Sequence, residues 1–109
     1  MLLLVEEKLD DEFLLKVAED FKGYIKFVVD IKQEILAAGG LKHVDGEQIL
    51  LKNGSSQEDL WGGGLDLETN EVDFDSMINL RPSQGNASRE VLSEEVRNRI
   101  QEIVRKLLK

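Results

Sequence analysis

The chain has 109 residues, 41% of them hydrophobic and 33% charged, with 14 basic and 22 acidic side chains, a formal net charge of −8 and no cysteine. That length fits one domain spanning 1–109 with a single core, and no apolar run approaches the roughly 18 residues needed to cross a bilayer. Without a thiol, disulfides, thiolate metal sites and cysteine nucleophiles are excluded, a composition suited to a reducing cytoplasm.

The opening Met1-Leu2-Leu3-Leu4-Val5 has no basic residue before it and meets Glu6 and Glu7 at once, so it reads as a first strand and not as a secretory leader. Asp10 or Asp11 is placed to cap a helix whose stripe is Phe13, Leu14, Val17, Ala18 and Phe21, with Gly23 at its end. Tyr24 to Ile31 is rich in β-branched and aromatic residues and predicts a central strand, with Glu34 to Ala38 returning before Gly39-Gly40. A helix through Ile25, Val28, Val29, Ile35 and Leu36 is also periodic, so residues 24–38 admit a hairpin or a helix.

Asp45 next predicts the cap of a short helix through Glu47, Ile49, Leu50 and Leu51, closed by Asn53-Gly54. Leu60 to Leu67 and Val72 to Leu80 predict a hairpin around Glu68-Thr69-Asn70-Glu71, its second strand alternating apolar Val72, Phe74, Ile78 and Leu80 with polar Asp73, Asp75, Asn79 and Arg81. From Ser93, the stripe Val96, Ile100, Ile103, Val104 and Leu107 predicts a closing helix. The fold expected is a two-layer α+β domain in the order β-α-β-β-short α-β-β-α, its short mixed or mainly antiparallel sheet covered on one face by helices.

The segment Arg81-Pro82-Ser83-Gln84-Gly85-Asn86-Ala87-Ser88-Arg89 is the densest run of hydrogen-bond donors. Arg81, Ser83, Gln84, Asn86 and Arg89 are the candidate ligand-binding residues, since a guanidinium fork suits carboxylate or phosphate and Gly85 lets a ligand approach the backbone. The structural alternative is that Ser83 and Ser88 make turn hydrogen bonds, Asn86 takes a left-handed turn position and the arginines pair with surface acids.

His43 is the sole histidine, with Asp45 and Glu47 at alternate positions; His43 and Asp45 are candidate proton-transfer residues, because a carboxylate can orient an imidazole that titrates near neutral pH. One histidine among acids is a minimal ligand set, so no metal site is assigned, although Asp73 and Asp75 could join His43 and Glu47 around a divalent cation. Gly62-Gly63-Gly64 after Trp61 lacks the setting of a phosphate-cradling loop, and no pattern names a cofactor.

Residues 1–80 carry 7 basic and 18 acidic groups, net −11, against 7 and 4, net +3, over 81–109. The acidic part disfavours nucleic acid. The leading expectation is a protein, enzymatic or not, that binds a small polar or anionic ligand through the RPSQGN loop. The alternative is a non-catalytic interaction module, most simply a homodimer through the Trp61 segment or the last helix.

Several segments together resemble a family of small uncharacterised prokaryotic proteins, a domain of unknown function. They are Val29-Asp30-Ile31; Gly39-Gly40 with His43 and Asp45; Gly54-Ser55 with Gln57, Asp59, Leu60, Trp61 and Gly62; and, most densely, Phe74-Asp75-Ser76-Met77-Ile78-Asn79-Leu80-Arg81-Pro82-Ser83-Gln84-Gly85-Asn86 with Ser88-Arg89. The chain departs from that pattern after Trp61-Gly62, where the family carries an asparagine and this sequence has Gly63-Gly64-Leu65. The resemblance implies a shared fold and no particular activity.

Overall fold

Alternation decides the centre of the molecule. In a computed structural model of residues 1–109, Tyr24–Asp30 forms a strand whose Ile25, Phe27 and Val29 face one way and whose Val28 faces the other, both sides buried. With β1 as Leu2–Val5, this strand is β2; it turns back through β3, Ile35–Gly39, so residues 24–38 resolve as the hairpin. Fully buried Asp30 sets that turn: its carboxylate accepts from the Lys32 and Gln33 amides and the Gln33 side chain, all at 2.9 Å, and from Ser55 Oγ at 2.6 Å. β4, Leu60–Asp66, and the two-residue β5, Val72–Asp73, complete an antiparallel sheet in the order β1-β3-β2-β4-β5.

Three helices pack on this sheet. α1, Asp11–Val17, begins where the Asp10 side chain accepts the Phe13 amide at 2.9 Å; it ends earlier than its apolar stripe suggests, and Phe21 falls in a separate 3-10 turn. α3, Glu94–Leu107, is capped by Ser93 and buries Ile100, Ile103, Val104 and Leu107. Both join the larger cluster, with Phe27, Val29, Trp61 and Leu65. α2, His43–Lys52, lies on the opposite face, over Val28, Ile35, Ala37 and Leu60.

The α+β class, the element order and the antiparallel sheet are as the sequence predicts. The helix covering differs, because α2 closes the second face. The buried alternation of β2 and β3 needs apolar partners on both sides, and the Leu50 side of α2 provides them. α2 also starts earlier than expected: its N-cap is Lys42, with no capping side chain, and Asp45 is an exposed first-turn residue instead of the cap.

The strand expected over Val72–Leu80 stops at Asp73. Phe74 packs in the larger cluster, Ile78 in the smaller and Leu80 is exposed, so their even spacing is not one strand face. Ser76 caps a 3-10 turn, Met77–Asn79, by accepting the Ile78 amide, and a second such turn, Pro82–Gln84, follows. β4 still has an edge to satisfy there. The Asn79 side chain accepts from Gly62 N at 2.8 Å and donates to Gly62 O at 3.0 Å, standing in for the missing strand.

Candidate functional site

The donor-rich loop is folded onto the protein's own main chain. Arg81 donates to the carbonyls of Gln57 and, at 2.6 Å, Leu60, while its guanidinium carbon lies 4.0 Å from the centre of the Trp61 ring. Gln84 donates to Glu58 O at 3.2 Å. Asn86 is buried: its amide nitrogen donates to the carbonyls of Asn79, Ser88 and Glu90, and its oxygen accepts from Leu92 N. Ser83 is exposed at the loop tip, and Arg89 pairs with Asp75 at 3.3 Å on the surface. The five candidates therefore do not converge, and of them Arg89 alone borders a substantial recess.

That recess, about 560 Å³, opens between the N-terminus of α2, β2, β5 and the 75–90 segment. Its chemistry comes from Tyr24, Lys26, His43, Asp73, Asp75 and Ser76, with Arg89 and Glu90 at the side and Val44, Met77 and Ile78 as an apolar rim. Tyr24 and Lys26 belong to the same face of β2 as Val28, and the β2–β4 register sets Lys26 opposite Gly64 and Val28 opposite Gly62. A side chain at Gly64 would overlap the Tyr24 hydroxyl, and one at Gly62 would meet Ser76 Oγ at 2.8 Å and His43 Cδ2 at 3.1 Å. The bare backbone of β4 is thus what lets the Tyr24 ring and the imidazole lie against the sheet.

Two groups in the cleft are fixed. The Tyr24 hydroxyl donates to Asp73 Oδ2 at 2.6 Å; burial first, and then the carboxylate, push its pKa well above the ordinary 10.0, so it stays a protonated donor. His43 Nε2 lies 2.8 Å from Gly63 O. A carbonyl can only accept, so Nε2 carries the proton and the neutral ring keeps its lone pair on Nδ1, which has no partner within the chain. Burial is the main influence on the imidazole and pushes its pKa below 6.5, Lys26 adding to the effect, while the bond to Gly63 and the carboxylates of Asp73 and Asp75 oppose it.

Asp45 does not join His43. Two residues apart on a helix turn about 200° away from each other, and Asp45 is exposed outside the cleft. Glu47 is buried further along α2 with Gln57 Nε2 at 3.5 Å. No group of three or more His, Asp or Glu side chains is placed to hold a metal ion. Sequence reasoning passed over Tyr24, Lys26 and Ser76. The available signal was two polar residues alternating within an apolar strand, with three glycines in the strand paired to it.

No helix is long and apolar enough to cross a membrane. No curated protein and no solved structure matches the chain. A family model described as a protein of unknown function (DUF5674) matches residues 3–107, and the chain belongs to that family.

Proposed function

We propose, for a member of a family without an assigned activity, that the chain binds a small polar molecule in the cleft lined by Tyr24, Lys26, His43 and Asp73. The observation that carries this reading is the imidazole: half-buried His43 lines a recess of ligand size, with one ring nitrogen anchored to the sheet and the other without a partner within the chain. The Asp73, Asp75 and Glu90 carboxylates outnumber the Lys26 and Arg89 cations, so a neutral or zwitterionic ligand with hydroxyl or amine donors suits the lining better than a free anion. His43 Nδ1 is also the atom that would accept a proton from such a ligand. The absence of cysteine fits a cytoplasmic setting for this role.

A thermal-shift screen of metabolites tests the proposal, using the native chain, His43→Asn and the loop variant Ser83→Ala/Gln84→Ala. A ligand bound in the cleft raises the melting temperature of the native and loop-variant proteins by mass action and leaves His43→Asn unmoved. A stabilisation that survives His43→Asn and disappears in the loop variant assigns the ligand to the loop and defeats this reading.

A further inference from the structure

The sheet finishes its two edges differently. On the β5 side, where the ladder stops at Asp73, side chains complete it: Asn79 satisfies Gly62, and Arg81 takes the Leu60 carbonyl. On the β1 side nothing does so. The amide of Gly40 donates to the Met1 carbonyl at 3.0 Å, and the register pairs Leu3 with Ala38 and Val5 with Leu36. Antiparallel pairs alternate between bonded and non-bonded. Met1, Leu3 and Val5 therefore direct their main-chain groups towards β3, while Leu2 and Leu4 direct theirs outward, where no strand follows.

We propose that β1 pairs with β1 of a second copy, antiparallel and with the two-fold axis at Leu3, joining two sheets into one. In that register Leu2 faces the partner copy's Leu4 and Leu4 its Leu2, so every outward N–H and C=O of the strand finds a partner at once. The edge is self-complementary. It carries none of the charges, prolines or bulges that keep exposed edges apart, since Leu2–Val5 is apolar throughout. Leu2 and Leu4 are half-buried on the α2 face, and a groove of about 290 Å³ lined by Leu4, Ile49, Lys52 and Asn53 lies where the second copy's Leu2 would arrive. The surfaces the sequence suggested for a dimer are committed elsewhere: Trp61 is 6% exposed and the apolar stripe of α3 is buried against the sheet.

The test uses the lack of native cysteine. Leu3 is the non-bonded pair on the axis, where Cα atoms approach to about 4.5 Å, within disulfide range. Leu3→Cys is expected to oxidise to a covalent dimer at least about tenfold faster than Met77→Cys, an exposed site away from the edge, because pairing raises the effective thiol concentration. Sedimentation of the native chain should show a concentration-dependent dimer that Leu2→Pro abolishes. That substitution removes an outward N–H and no bond to β3, so circular dichroism should stay native. A native chain that remains monomeric at the highest attainable concentration overturns the proposal. So does a dimer that persists in folded Leu2→Pro, or equal oxidation of the two cysteine variants.

Discussion

Replacing Asn79 with alanine removes four hydrogen bonds from a fully buried side chain: one accepted from Gly62 N and three donated, to the carbonyls of Gly62, Phe74 and Arg89. The losses are unequal. Phe74 O still accepts from Val91 N at 3.1 Å and Arg89 O from Ser76 N at 3.0 Å, so each keeps a partner. Gly62 N and O face the side of β4 where β5 has already ended, and both are orphaned. An unsatisfied buried polar group costs about 1–3 kcal/mol, so with the cavity added the expected loss is about 3–5 kcal/mol. Urea unfolding followed by fluorescence of Trp61, which adjoins Gly62, measures it directly. Asn79→Asp sharpens the test. It keeps an acceptor for Gly62 N but turns carboxylate oxygens on three carbonyls, so the introduced group should be raised above its ordinary value in the folded state. Such a group binds protons more tightly when folded, so this variant should recover part of its stability as pH falls. A loss below about 1 kcal/mol for Asn79→Ala, within what a surface change produces, would refute the role of Asn79 as a substitute strand.

Three further outcomes follow from the geometry. The His43 imidazole, observed by NMR without overlap because it is the sole histidine, should titrate below 6.5. The unfolded chain then takes up the proton first as pH falls, so the stability contributed by the neutral ring is complete above that value and declines below it; His43→Asn should flatten that part of the stability–pH curve. Arg81→Lys should cost about 1–3 kcal/mol and shift the Trp61 emission, since a lysine cannot bridge two carbonyls while stacking on the indole. The His43 signals should remain in place, and their movement would show that loop and cleft are one unit. Asp30→Ala should cost about 2–4 kcal/mol in urea unfolding, because the turn after β2 loses the acceptor of four donors.

Much of the fold was legible because local signals and burial agree. Asp10 and Ser93 cap their helices, Gly54 ends α2 with a φ of 96°, and the apolar alternation of β2 matches its two buried faces. The failures came where tertiary contacts replace local ones. The even apolar spacing of 72–80 resembles a strand until Asn79, placed by that spacing on a polar face with Asp73, Asp75 and Arg81, turns inward to hydrogen-bond the neighbouring strand. For Arg81, Gln84 and Asn86 likewise, a sequence shows that donors are dense, and only the fold shows which of the protein's own carbonyls they reach. The cleft was illegible for a related reason. Its polar side chains are spread over β2, α2, β5 and the following turns, and the sheet register brings them together.

The glycine-bare stretch of β4 has a consequence for the order in which the protein opens and closes. Gly62 to Gly64 contribute no side chains of their own, and one flank of the strand is finished by Asn79 and Arg81, which arrive from later in the chain. That flank therefore cannot mature until the segment carrying them has settled, and the amide of Gly62 is sealed or released together with it. Hydrogen exchange should find this amide opening as one cooperative block with residues 74–92, while the β2–β3 hairpin stays shut.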